Sequence, residues 1–378
     1  MELTEEQQMI QETARRFAES EVQPIAAEID QMGKYPLELI EKMGGMGFLG
    51  LVVPAEYGGT GTDTVCYSIV IEELSRVCGS TGLSVAAHNS LGSAPICIAG
   101  TEEQKSKYLP EISSGEAVAA FGLTEPQAGS DASRTQTRAV LKGDKYILNG
   151  TKVYVTNGGH ARYMVMTAMT QPEKGVHGIS AFIVHNDFPG FKIGTHEKKL
   201  GVRASSTTEI VFEDCEVPKE NLLGNEGEGF KIFMQTLDGG RISIGAMALG
   251  IAQGAMEAAI AYAKERHQFG KPISEFQAIQ NMIADMATEI RAARLMVYDT
   301  SRLKDEGKPF SAESAMCKLF ASTMAMKVTT NALQIHGGYG YFTEYPVERY
   351  YRDAKLTEIG EGTSEIQRLV IARSILKD

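Results

Sequence analysis

Cysteine is scarce here, and the five present (Cys66, Cys78, Cys97, Cys215 and Cys317) stand a dozen residues or more apart. No Cys-x-x-Cys pair and no zinc-ligand spacing occurs, which excludes a redox dithiol and a structural metal site. The thiols read instead as small, reduced, mostly buried residues. An uninterrupted apolar run of membrane-spanning length is also missing. So are the six-residue glycine fingerprint of dinucleotide folds and a phosphate-binding loop with its lysine. Positive charge is in deficit. With 37 lysines and arginines against 48 aspartates and glutamates, the formal net charge is −11, which argues against nucleic acid or an anionic membrane as partner. The beginning, Met1-Glu2-Leu3-Thr4-Glu5-Glu6-Gln7, has neither an apolar targeting core nor arginine-rich transit character. The expectation is a cytoplasmic protein of a bacterium or archaeon, or a mitochondrial matrix protein if a leader has been trimmed. No internal repeat or low-complexity stretch is present.

What is there divides into three regions. The 378 residues suffice for two or three domains around a large core. Residues 1–119 read as helical: Thr4 and Gln7 form a capping box, and Ile10, Ala14 and Phe17 follow as an apolar stripe. Further helices are expected over 67–77 and 102–109. The pattern changes near Phe121. Tyr146-Ile147-Leu148, Asn149-Gly150 and Lys152–Thr156 predict a hairpin with its tight turn at Asn149-Gly150. With β-rich runs at 163–169, 179–184 and 208–213, residues 120–228 read as a small β barrel or sandwich. Residues 229–378 return to helical periodicity, with long helices over 241–266 and 314–335. There Phe276, Ile279, Ile283, Met286 and Ile290 form the seam of a packed bundle. The fold expected is mainly α with a central β domain. The pairs Glu72-Glu73 and Glu102-Glu103 read as solvated helix faces, and the methionines of 43–46 and 164–169 as core. The seven histidines show no metal spacing.

Chemistry concentrates near the end. Gly360-Glu361-Gly362 sets a carboxylate between two residues without side chains, so a substrate can approach the backbone closely. Thr363-Ser364-Glu365-Ile366-Gln367-Arg368 follows, and Ile366, Leu369, Val370 and Ile375 recur at helical spacing. An acid placed there suits a general base; the alternative is a turn whose Glu caps a helix. Upstream, the run 121–131 (Phe-Gly-Leu-Thr-Glu-Pro-Gln-Ala-Gly-Ser-Asp) offers small residues, hydroxyls and amides where a flat polar ring or a pyrophosphate could dock.

That run resembles a flavin-contacting segment of the acyl-CoA dehydrogenases, as does Tyr154-Val155-Thr156-Asn157-Gly158-Gly159. The likeness continues through Asp238-Gly239-Gly240-Arg241, through Arg266-His267-Gln268-Phe269-Gly270-Lys271-Pro272 and through Gln334-Ile335-His336-Gly337-Gly338-Tyr339-Gly340. It ends on the Glu361 segment, so it covers the whole chain in order. The resemblance implies an α-helical N-terminal domain (1–119), a middle β domain (120–228) and a C-terminal four-helix bundle (229–378). It implies FAD held partly across a subunit interface of a homotetramer. Phe121, Leu123, Thr124, Gly129, Ser130, Tyr154 and Thr156 would contact the flavin from one subunit. Arg266, Phe269, Gln277, Gln334, Gly337 and Gly338 would reach the neighbour's FAD, and Thr363 and Glu365 would close the site. Ser130, Asp238, Arg241 and Gly362 would meet the substrate.

The reaction implied is α,β-dehydrogenation of an acyl-CoA thioester to the trans-2-enoyl-CoA. Glu361 would take the α-proton while the β-hydride goes to flavin N5 and electrons pass on to electron-transferring flavoprotein. The Glu361 amide and a ribityl hydroxyl would stabilise the thioester oxygen. One branch of the family carries its base near the Asp238–Arg241 run, where this chain has Gly239-Gly240. Gly360 replaces the Tyr of the best-known members, which predicts room for branched or cyclic acyl groups. Tyr154 replaces a frequent Trp and keeps a flat aromatic contact. Between Cys78 and Leu91 no cation awaits a distal carboxylate, which disfavours a glutaryl-type substrate. The overall likeness leans to short-chain (butyryl-CoA) and branched-chain members. Alternatives are an acyl-CoA oxidase using O2, a glutaryl-CoA-type dehydrogenase, or a flavin-free scaffold that has lost catalysis.

Overall fold

The computed structural model describes residues 2–377. Seven α-helices come first: α1 (Glu5–Phe17), α2 (Ala26–Met32), α3 (Leu37–Gly45), α4 (Thr64–Val77), α5 (Gly79–Ala87), α6 (Ala94–Ala99) and α7 (Glu102–Ser114). The capping box at α1 is present: Gln7 N donates to Thr4 Oγ1 at 3.2 Å, and Thr4 N donates to Gln7 Oε1 at 3.1 Å. Thr101 and Gln104 repeat the device at α7. Every residue of α4 is buried, because α1, α8 and α9 (defined below) pack around it.

That burial corrects one expectation. Glu72 and Glu73 are 3% and 1% exposed, not solvated. Glu72 accepts from Arg294 Nη2 at 2.7 Å and from Tyr298 Oη at 2.6 Å. Glu73 accepts from Arg15 and Arg76, and Arg76 also donates to Glu19 and Glu257. Buried carboxylates are tolerated when each is paired and hydrogen-bonded. Arg15 and Arg294 lie far away in sequence, so the local pattern could not show that these carboxylates are covered. Glu102 and Glu103 are exposed, as expected. Met43 is core, but Met46 is 45% exposed.

The middle region is one eight-stranded sheet. Its strands are β1 (Val118–Gly122), β2 (Arg138–Lys142), β3 (Lys145–Thr156), β4 (Ala161–Met169), β5 (Ile179–His185), β6 (Phe191–His196), β7 (Thr207–Pro218) and β8 (Leu222–Leu223). The hydrogen-bonded order is β6-β7-β3-β2-β4-β5-β8, with β1 parallel to β4, and β6 and β8 are its ends.

The turn expected at Asn149-Gly150 is absent, since β3 runs straight through it. Tight reversal happens instead at Gly143-Asp144 between β2 and β3, where Gly143 has φ +65°. Gly150 is the site of a register shift against β7. A Cβ there would lie 2.4 Å from Thr137 Oγ1, so the position needs glycine. Asn149 bonds across the sheet to Asp214. Asn-Gly serves a bulge as readily as a turn, and the composition does not distinguish them.

The last region contains α8 (Gly229–Glu265), a small hairpin of β9 (His267–Gln268) and β10 (Lys271–Pro272), α9 (Gln277–Asp305), α10 (Ser311–His336), α11 (Val347–Ile359) and α12 (Ser364–Ile375). α10 packs against α8, α9, α11 and α12, and α8 also lies on α4. α8 carries an 18-residue window of mean hydropathy 1.4, long and apolar enough to cross a membrane, but 72% of it is buried inside the protein. Its apolarity belongs to the core, which runs continuously from the first region through the sheet to the bundle.

Candidate active site

Between α11 and α12 the chain makes a turn that glycine alone would normally adopt. Glu361 has φ +53° and Gly362 φ +94°, both left-handed. Holding a non-glycine residue there costs on the order of 1–3 kcal/mol. Three side chains offset it. Gln367, fully buried, donates from Nε2 to Gly362 O at 2.8 Å and to Glu361 O at 3.3 Å. Lys318 Nζ, also fully buried, donates to Gly362 O at 2.7 Å. Thr363 caps α12 by accepting from Ile366 N at 3.4 Å.

The turn presses the Glu361 carboxylate against α8. Its Oε2 is inaccessible and has no hydrogen-bond partner among the described residues. A Cβ on Gly240 would stand 1.9 Å from that oxygen and 3.2 Å from Leu91 Cδ2, so the absence of a side chain at 240 makes room for the carboxylate. One residue on, Arg241 is 6% exposed and donates to Asp238 Oδ1 at 2.5 Å, and Asp238 also accepts from Ser311 Oγ at 3.0 Å. Arg241 Nε has no partner among the described residues. Burial pushes Glu361 up to about 7, while the Lys318 and Arg241 charges pull the other way. Burial likewise raises Asp238 and lowers Arg241. An acid so held is a proton acceptor near neutral pH.

A second group faces the same stretch of α8 from the sheet. Phe121, at the end of β1, stacks on Phe233 of α8 with ring centroids 4.1 Å apart. Leu123, Thr124, Gly129 and Ser130 follow in the loop, and β3 brings Tyr154 and Thr156 beside it through Val153 N donating to Thr124 O at 2.9 Å. Beneath the loop lies a pair that sequence reasoning missed. Lys152 Nζ, fully buried, donates to Glu125 Oε1 at 2.7 Å, to Thr167 Oγ1 at 2.9 Å and to Leu123 O at 3.3 Å. Glu125 accepts from Gln136 N and Thr137 N as well. Burial would raise Glu125, but Lys152 and these donors overcome it and hold the carboxyl below its ordinary value. Tyr154, at φ +59°, turns its ring outward and is 66% exposed. Thr363 and Glu365 follow Glu361 at the start of α12.

The third group does not join them. Arg266 caps the far end of α8, and at 1.5 Å per residue it stands on the order of 40 Å from Gly240. With Tyr262, His336, Gly337, Gly338 and Tyr339 it lines an open cavity of about 430 Å³. Its guanidinium lies 5.4 Å from the Tyr339 ring centroid and makes no ion pair among the described residues. At Gly337 and Gly338 nothing lies within 4 Å of an added Cβ. Gln277 and Gln334 are exposed, and Phe269, at φ +52° on the hairpin tip, is 94% exposed. An unpaired guanidinium, bare glycine backbone and outward-facing aromatic rings fit a pyrophosphate and a flat ring system such as FAD carries. His336 is packing: it stacks on Tyr262 at 4.3 Å and its Nδ1 bonds to Ala332 O.

A helical domain, a sheet and a helix bundle thus enclose a buried, unpaired carboxylate beside surfaces suited to a flavin nucleotide. Models of the N-terminal, middle and C-terminal domains of acyl-CoA dehydrogenase match residues 4–116, 120–215 and 227–376. The chain belongs to the acyl-CoA dehydrogenase family. It is 54% identical over 375 residues to the short-chain specific acyl-CoA dehydrogenase of Clostridium acetobutylicum, covering 99% of each chain. Among solved structures it is similar to butyryl-CoA dehydrogenase from Megasphaera elsdenii (47% identity, TM-score 0.98, 100% of each chain). It is also similar to a chain solved in work on the electron transferring flavoprotein of Acidaminococcus fermentans (57% identity, TM-score 0.99, 100% of each chain). The protein is an acyl-CoA dehydrogenase, a flavoprotein oxidoreductase with FAD as its cofactor.

Proposed function

We propose that Glu361 is the base that removes the α-proton of a short-chain acyl-CoA, giving the trans-2-enoyl-CoA. FAD, when bound, supplies the acceptor for the β-hydrogen and its electron pair. The observation that carries the reading is the Glu361 oxygen, buried without a partner in the space opened by Gly240. Burial raises the proton affinity of this carboxylate, which favours proton abstraction, and Arg241 and Lys318 keep it ionisable near neutrality. Its backbone N–H has no acceptor among the described residues and is available to the thioester oxygen, where such a donor contributes a few kcal/mol. Asp238 and Arg241 hold each other beside the base and face the CoA portion of the substrate.

The short-chain substrate rests on the named relatives, and Gly360 extends it to branched acyl groups. Electron-transferring flavoprotein is the proposed acceptor, supported by the relative solved in work on such a protein. The distance between Arg266 and Glu361 on one chain supports a composite cofactor site shared between subunits, in an oligomer proposed as a homotetramer. A cytoplasmic location is proposed on the sequence alone. Butyryl-CoA added anaerobically to the yellow protein is expected to bleach the flavin band, and Glu361→Gln to abolish that bleaching. Full bleaching by the variant would refute the assignment. Rapid reoxidation in air with peroxide release would place the enzyme among oxidases instead.

A further inference from the structure

We propose that Lys318 is a positioning residue for the base: its buried ammonium clamps the Gly362 carbonyl and is the cation that Glu361 faces from α10. The proposal rests on reading Glu361 as the base. Lys318 lies on α10, in a stretch that reads as ordinary bundle helix, yet its side chain is fully buried. Its hydrogen-bond acceptor is Gly362 O, at 2.7 Å, and it has no carboxylate within 4.0 Å among the described residues.

That arrangement is costly, since a buried ammonium normally sits in a close ion pair. The hydrogen bond alone does not explain it. Gly362 O already accepts from Gln367 Nε2 at 2.8 Å, and a neutral donor at 318 would fill the second lone pair equally well. What lysine adds is charge, directed at the one turn that carries the carboxylate. The groups facing Lys318 are Glu361 on the turn, Arg241 on α8, Glu358 on α11 and Glu365 on α12. Glu361 in turn faces Lys318 and Arg241, with the Tyr67 phenol of α4 behind. Arg241 shares its charge with Asp238, so of the two cations acting on Glu361 Lys318 is the stronger. Burial brings Lys318 down to about 8, which keeps it mostly charged at neutral pH. It therefore stabilises ionised Glu361 and fixes its direction together.

The test separates charge from clamp in the FAD-loaded enzyme. Lys318→Gln keeps a donor for Gly362 O and removes the charge, Lys318→Arg keeps the charge, and Gln367→Ala removes the other donor while leaving Lys318 in place. With Lys318→Gln, the acid limb of kcat/KM against pH for butyryl-CoA should move up by about one pH unit, the effect expected of one nearby charge. Lys318→Arg should restore the limb, and Gln367→Ala should leave it near the wild-type position. A readout without turnover is proton uptake when 2-butenoyl-CoA binds, from calorimetry in two buffers of different ionisation enthalpy. Its pH dependence should shift in parallel for Lys318→Gln. A Lys318→Gln enzyme with both profiles unmoved overturns the proposal, as does Gln367→Ala moving them equally. Glu361→Gln is the control: if it still turns over, the base assignment has failed; if it is inactive and Lys318→Gln is unshifted, only Lys318 has been misread.

Discussion

Gly240 and Glu361 compete for one volume: a single methyl at 240 would overlap the carboxylate, 1.9 Å from Oε2 and 3.0 Å from Cδ. The Glu361 carboxylate in this position and a side chain at 240 are mutually exclusive. Gly240→Ala should therefore fold, keep FAD and displace the carboxylate by about an ångström, lowering kcat roughly a hundredfold. Steady-state kinetics with butyryl-CoA checks this. A kcat within about threefold of wild type would mean the carboxylate is not where the chemistry happens.

Glu361, raised to about 7 against an ordinary 4.5, makes the pH dependence explicit. The ionised form is the active one, so kcat/KM should rise with pH and inflect near 7. Stability runs the opposite way. The folded chain holds this proton more tightly than the unfolded one, so the contribution is complete below pH 4.5 and declines as pH rises to about 7. Glu361→Gln escapes that decline. Denaturant melts should find it matched to wild type at pH 4.5 and more stable at pH 8 by about 1–3 kcal/mol. Equal stabilities at both pH values would contradict the buried, uncompensated carboxylate.

Gly360 has ordinary backbone angles, φ −63° and ψ 151°, and an added Cβ would meet Leu356 at a comfortable 3.5–3.7 Å. Nothing in the backbone requires glycine there. Gly360→Tyr should fold normally and lower the isobutyryl-CoA rate relative to butyryl-CoA by roughly tenfold or more. An unchanged ratio would show that this position does not set the width of the acyl pocket.

Lys152 and Glu125 carry the loop after β1 on a dry ion pair, with side chains 0% and 2% exposed. Lys152→Met strands a buried carboxylate and should cost about 3–5 kcal/mol, with weaker retention of FAD. Adding Glu125→Gln should recover part of that loss. Guanidinium denaturation and FAD titration of the single and double variants measure both. A loss under about 1 kcal/mol for the single variant would make the pair incidental.

The turn at Glu361 was legible because its signal is local: two glycines around an acid, then a capped helix; its reading as a base came from the family resemblance, since the local pattern suits a capping turn equally. The order of helix, sheet and helix was legible from periodicity for the same reason. What escaped involves partners distant along the chain. Lys318 and Gln367 look like polar residues on helices, and only packing brings both onto the Gly362 carbonyl. Glu72-Glu73 looked solvated because their arginines come from α1, α9 and within α4 itself, on faces that close over them only in the fold. Asn149-Gly150 was misassigned because one dipeptide suits two geometries, and the neighbouring strand, not the dipeptide, decides between them. Strands β2 and β6 went unseen: each is short and mostly exposed, with no buried face to set a clean alternation.

The length of α8 has one more consequence. If pyrophosphate is gripped at one end of this rod and the isoalloxazine is used at the other, each chain holds its neighbour's coenzyme. Occupancy then follows mass action between subunits. Progressive dilution should bleed colour from the protein as assemblies separate, and restoring the concentration with free coenzyme should bring the yellow back.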